Sequence, residues 1–242
     1  MLLLLDIGNT RTQYSLYEGA ELLQLGVLDA LESMELEKFN REYDPQEIFF
    51  ADVRGGSLEM ITRIFPQAKI LSLDSEKLEF PFENAYKTPE TLGADRKALV
   101  AAAYFKYPQA NCLILDIGTC ITYDFLDEHG VYHGGAISPG IRLRYKVLHE
   151  QTGKLPLLEL NPISKLTGSS TEEAIHSGVY NGVLAEIKNQ IDQYVEKHHN
   201  LIIILTGGDV PVLSKSIKKP IFAEPNFLLE GMFTLLEYNK NS

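Results

Sequence analysis

Cysteine is scarce. The chain of 242 residues carries two, Cys112 and Cys120, too few and too close together for a disulfide framework. Both are expected to be reduced and buried, and nothing beside Cys120 reads as a base that would make it a nucleophile. Basic residues are also in deficit. With 22 Lys and Arg against 33 Asp and Glu, the formal net charge is −11, which argues against nucleic acid or an anionic membrane surface as the main partner. The same charge opposes any anionic ligand, so a site for one must supply Mg²⁺, backbone N–H groups or a local arginine. Long apolar runs are missing. The leucines at the start have no basic region before them and are stopped by Asp6, so neither a signal peptide nor a membrane span is expected, and a soluble cytoplasmic protein is. The sequence contains no GxxxxGK(S/T) loop, GxGxxG fingerprint, CxxC pair or GxSxG elbow. Its six histidines show no metal-ligand spacing.

What is present begins at the first residues. Leu2-Leu3-Leu4-Leu5 reads as a strand buried on both faces. It ends on Asp6, and Gly8, Asn9 and Thr10 follow as a small polar turn before the returning strand Thr12–Tyr17. An acid at a strand end beside exposed amides suits a metal-bound polyphosphate; an ordinary hairpin with Asp6 as a turn residue is the alternative. The segment occurs twice. Residues 111–126 align with the N-terminus without a gap at an offset of 116 − 6 = 110, pairing Leu3/Leu113, Leu5/Leu115, Asp6/Asp116, Ile7/Ile117, Gly8/Gly118, Thr12/Thr122 and Leu16/Leu126. Such a repeat implies two similar lobes facing each other over a cleft.

Between and after the copies the pattern is mixed α/β. The first half reads as a meander closed by a strand over 20–28, then a short helix, a strand over 46–53, a helix from Ser57 as N-cap, and a strand over 68–73. The alanine-rich run after Leu92-Gly93-Ala94 is a strong helix by propensity, with Asp95 and Arg96 in its first turn. Asp95 there complements the helix dipole, whereas Arg96 opposes it and so points to a ligand anion. In the second half, Gly134-Gly135 and Pro139-Gly140 bracket Ile137-Ser138 ahead of a helix, an arrangement that suits either a ligand or a tight connection. Thr171 reads as the N-cap of one long helix on which Gly178 and Gly182 would permit a close crossing. Leu201–Leu205 is a buried strand ending in Thr206-Gly207-Gly208-Asp209, and a helix over 224–238 closes the chain.

Asp-Ile-Gly-Asn-Thr, Asp-Ile-Gly-Thr-Cys-Ile-Thr-Tyr-Asp and Thr-Gly-Gly-Asp resemble the two phosphate motifs and the adenosine motif of the actin-like ATPase superfamily. Leu92-Gly93-Ala94-Asp95-Arg96 and Gly134-Gly135-Ala136-Ile137-Ser138-Pro139-Gly140 resemble its type III pantothenate kinase branch. The resemblance runs in order over nearly the whole chain. It implies an α/β fold of two ribonuclease-H-like lobes, 1–107 and 108–242, with an ATP cleft between them, and ATP-dependent phosphorylation of pantothenate on the way to coenzyme A.

Residue by residue, the resemblance makes Asp95 the catalytic base. Tyr86, Gly93, Ala94 and Arg96 become substrate residues, with Thr171 contributed from the neighbouring subunit of a homodimer. Asp6, Gly8, Asn9, Thr10, Gly118, Thr119, Gly207 and Gly208 fall on ATP. Asp6 and Asp116 would hold Mg²⁺ through water, and Asp124 would hold a monovalent cation, K⁺ or NH₄⁺. The chain departs from the family at Arg11-Thr12-Gln13, where many relatives carry a lysine, and at Cys120, where a small residue is common. Without that lysine, ATP is held mainly by metal and backbone. A non-catalytic regulatory relative, and a kinase of another small alcohol such as a sugar, are the competing readings.

Overall fold

The computed structural model describes every residue except 9, 10, 29–32, 163, 164 and 242. The chain divides into two compact units that interrupt each other in sequence. One comprises Met1–Glu83, Lys87–Lys106 and Phe227–Ser242, the other Asn84–Tyr86 and Tyr107–Asn226.

The first unit contains β1 (Leu2–Ile7), β2 (Thr12–Glu18), β3 (Glu21–Leu28), α1 (Ser33–Tyr43), β4 (Glu47–Asp52), α2 (Ser57–Ile64) and β5 (Lys69–Ser72). After β6 (Glu83–Asn84) comes α3 (Ala94–Lys106). The sheet order is β3-β2-β1-β4-β5, with β1, β2 and β3 antiparallel and β1, β4 and β5 parallel. Leu2, Leu3, Leu4 and Leu5 are all buried, as a central strand covered on both faces requires. Leu3, Leu5 and Ile7 join Tyr14, Leu16, Leu36, Ile48, Phe50 and Ile61 in one core. Each fully buried leucine there contributes roughly 2 kcal/mol. Ser57 is not the cap of α2: Gly56 takes that place at φ 90°, and the Asp52 carboxylate gathers the amides of Arg54, Gly55 and Ser57 at 2.9–3.0 Å.

The second unit contains β7 (Asn111–Ile117), β8 (Cys120–Leu126), β9 (Val131–Pro139), α4 (Ile141–Glu150), α5 (Thr171–His176), α6 (Gly182–Lys197), β10 (Leu201–Thr206), α7 (Val210–Leu213) and β11 (Phe222–Ala223). Its sheet runs β11-β10-β7-β8-β9-β6. The three-strand meander flanked by two parallel strands therefore recurs, β7 standing where β1 stands and β10 where β4 stands. The repeat seen in sequence is a repeat of topology, but not a gapless one. Ile7 pairs with Thr12 whereas Ile117 pairs with Ile121, so the first turn is one residue longer. Thr12 is thus the counterpart of Ile121, and Thr122 of Gln13. Because a one-residue slip moves every side chain to the other face, the identities Thr12/Thr122 and Leu16/Leu126 are not structural equivalences.

Three further expectations need correction. The helix read from Thr171 onward is broken by a π segment, Ser177–Asn181, between α5 and α6, and its N-cap is Ser170, whose hydroxyl accepts from the Glu173 amide at 3.2 Å. A Cβ at Gly178 or Gly182 would meet nothing within 4 Å, so among the described residues nothing crosses closely there. The close crossing is elsewhere: α8 (Phe227–Asn241) packs on α3, and a Cβ at Gly231 would lie 2.1 Å from the Ala98 carbonyl oxygen. This contact places α8 in the first unit, although it follows the second in sequence. Finally, Cys112 is buried but Cys120 is exposed.

Candidate active site

In the first unit the site elements gather at the carboxyl end of β1. Gly8 closes the turn by donating its amide to the Arg11 carbonyl at 3.1 Å. Asn9 and Thr10, both expected on ATP, lie outside the described residues. Asp6 ends the apolar run, and its environment is unusual. Burial and then the charge of Asp95, against a smaller opposing effect of Arg11, push its carboxyl up to about 7. The fold therefore brings Asp6 and Asp95, far apart in sequence, within electrostatic reach of each other.

Asp95 is in the first turn of α3. Its Oδ1 accepts from the Arg96 amide at 2.8 Å, and among the described residues Oδ2 accepts no hydrogen bond. Gly93 makes room for this carboxylate, since a Cβ there would lie 2.5 Å from Oδ1. Ala94 and Arg96 are buried. Two carboxylates crowded at a strand end are relieved by a cation, and their hard oxygens suit Mg²⁺. Among the described residues no group of three or more His, Cys, Asp and Glu could hold a metal. A buried carboxylate such as Asp6 suits an ion held by one or two carboxylates together with waters and phosphate oxygens.

In the second unit three turns meet at the carboxyl ends of β7 and β10, the edge where open α/β sheets bind ligands. The turn after Asp116 is closed by the Gly118 amide donating to the Cys120 carbonyl at 2.9 Å, and Thr119 at its tip is exposed. Gly140, ahead of α4, donates to the Thr119 carbonyl at 2.9 Å; a Cβ there would lie 2.1 Å from the Gly118 oxygen. The Thr206-Gly207-Gly208-Asp209 turn follows a strand paired with β7 through Thr206 and Asp116. Gly207 has φ 97°, and a Cβ on it would lie 2.3 Å from the Asp116 carboxylate. Only glycine combines that backbone with that approach. The Asp209 amide then donates to the Ile117 carbonyl at 3.0 Å.

The remaining expected residues of this unit separate into two places. Asp124 is fully buried on β8 and accepts from the Tyr132 hydroxyl at 2.6 Å. Tyr86 stacks with Tyr132 at 6.2 Å between ring centroids and lies over Gly134, where a Cβ would come within 2.7 Å of its ring. Thr171 is elsewhere, in the lining of an apolar cavity of about 740 Å³ together with Leu148, Leu155, Ile175 and Val179.

A sequence profile described as type III pantothenate kinase matches residues 2–193. A Flavobacterium johnsoniae protein described as a type III pantothenate kinase is 43% identical over 240 residues, covering 98% of each chain. The chain belongs to the type III pantothenate kinase family. Among solved structures, a Campylobacter jejuni protein described as a Baf family transcriptional activator superposes with a TM-score of 0.63 at 24% identity, over 99% of this chain and 100% of that one. A glucokinase from an Antarctic psychrotroph gives 0.50 at 13% identity over 98% of both. At these identities the likeness is one of fold, the two-lobed fold of the actin-like kinases.

For a type III pantothenate kinase, sequence reading passed over one pair at the meeting of the three turns. Arg142, in the first turn of α4, donates from Nε to the buried Asp209 carboxylate at 3.1 Å. A signal for it existed, because an arginine in a first turn opposes the helix dipole at 142 as it does at 96. The Asp52 carboxylate was also missed. It lies at the strand end next to that of Asp6, but its oxygens are engaged by its own loop, and those amides hold its carboxyl below the usual range despite burial.

Proposed function

We propose that this chain phosphorylates pantothenate at the expense of ATP, giving 4'-phosphopantothenate and ADP, the first step towards coenzyme A. Full-length kinship with the family supports the activity. The observation that carries the site is the pairing of Asp6 with Asp95 at the end of β1. In this reading Asp95 is the general base. The Arg96 amide fixes Oδ1, leaving Oδ2 to take the proton of the primary hydroxyl while that oxygen bonds to the γ-phosphorus and the bond to the β-phosphate bridge breaks. Mg²⁺ on the phosphates supplies neutralisation of the charge that develops on them.

Asp6 and Asp116 would hold that ion through water, because Mg²⁺ retains several of its waters. Gly8, Asn9, Thr10, Gly118 and Thr119 donate to the phosphates, and Gly207 and Gly208 lie along the nucleoside. Arg96 offers a fork of donors to the pantothenate carboxylate. Gly93 and Ala94 shape the acceptor pocket and Tyr86 lines it. Thr171 reaches it from the partner in a homodimer, and Asp124 holds K⁺ or NH₄⁺. A cytoplasmic location follows from the substrates.

An ATP-consumption assay dependent on Mg²⁺ and K⁺, run over pantothenate and several sugars, tests the reading. Turnover with pantothenate is expected. No turnover with pantothenate, or a clear preference for a sugar, would overturn it.

A further inference from the structure

The residues proposed above leave a negatively charged chain holding a polyphosphate with metal and backbone alone on the nucleoside side. Arg142 stands at that side. It is in the first turn of α4, a turn with no acidic residue, and is kept there by Asp209. The Asp209 side chain is 6% exposed while that of Arg142 is 56% exposed. An exposed ion pair contributes little by itself. Here the acid is buried and its own amide is tied to Ile117, so the contact fixes the direction of the guanidinium. Among the described residues Nε is the one nitrogen of the Arg142 guanidinium that is hydrogen-bonded, and the side chain as a whole is more than half exposed. Through Asp209 the side chain adjoins the Gly207-Gly208 turn and the Gly118-Thr119 turn, which Gly140 and Asp209 lock together.

We propose that Arg142 is a nucleotide-binding residue whose Nη nitrogens donate to a phosphate of the bound nucleotide, with Asp209 as its positioning residue. This rests on the reading of the chain as an ATP-dependent kinase. A planar fork held at one end is suited to phosphate oxygens, and it supplies the local cation that the overall charge demands.

The test uses the full chain and the variants Arg142→Ala, Arg142→Lys and Asp209→Asn. ADP binding with Mg²⁺ is measured by calorimetry, the unliganded melting temperature by circular dichroism, and KM for ATP and for pantothenate by steady-state kinetics. Losing a hydrogen bond to a charged group should weaken ADP binding by R142A about tenfold or more. KM for ATP should rise in parallel while KM for pantothenate and the melting temperature hold. R142K should recover part of the affinity by restoring charge without the fork, and D209N should fall between R142A and the unaltered chain. Unchanged ADP affinity in R142A would overturn the proposal. So would a fall in melting temperature accompanied by equal rises in both KM values, the mark of a structural latch. The two readings fail separately: a chain that binds ADP through Arg142 yet leaves pantothenate untouched refutes the substrate and retains the arginine.

Discussion

Replacing Asp6 with asparagine should stabilise the metal-free and nucleotide-free chain, and by more at alkaline than at acid pH. The cause is burial of the carboxyl, reinforced by the charge of Asp95 and partly offset by Arg11, which together raise it from an ordinary 3.8 to about 7. A folded value above the unfolded one means that the folded chain holds this proton more tightly. The stabilising contribution of neutral Asp6 is complete below the unfolded value and is lost as pH rises through the folded one. At about 1.4 kcal/mol per pKa unit, the raised pKa disfavours folding by about 4 kcal/mol near pH 8.5, where folded Asp6 is ionised, and by about 2 kcal/mol near pH 5, where folding must instead take up a proton.

Asparagine does not titrate, so any fixed loss from the carboxamide is the same at both pH values. The stability of D6N relative to the unaltered chain should therefore rise by about 2–3 kcal/mol between pH 5 and pH 8.5. The chain has no tryptophan, so urea unfolding in EDTA is best followed by far-ultraviolet circular dichroism. A difference that stays flat across this range would refute the reading of Asp6 as a desolvated acid. In the same reading Mg²⁺ with ADP draws the proton off, so binding near pH 6 should release a proton from the unaltered chain and none from D6N.

Asp95→Asn should lower turnover by at least about a hundredfold, as loss of a general base does, with the melting temperature unchanged; retained activity would remove Asp95 from that role. Gly231→Ala should destabilise the chain by about 1–3 kcal/mol, because its methyl meets the Ala98 backbone and neither helix can yield without moving the other. Gly178→Ala, with open space around the same atom, is the control, and equal losses in urea unfolding would refute the crossing assigned to Gly231.

Local chemistry wrote much of this protein into its sequence. The apolar run before Asp6, its second copy before Asp116, and the alanine-rich helix with Asp95 in its first turn all follow from nearest neighbours and periodicity. Those features were enough to read a repeated α/β unit and the family. Other features depend on what arrives from elsewhere in the chain. One extra residue in the first turn changes the register of a hairpin whose sequence aligns without a gap, because pairing is settled across strands. The glycine at a close crossing is Gly231 and not Gly178, since only the docking of α8 on α3 decides which backbone comes near. Asp6 and Asp95 become a coupled pair, and Arg142 finds Asp209, through folding of each unit. Sequence set the residue types at the strand ends; packing set which of their charges meet, because burial and distance are properties of the assembled fold.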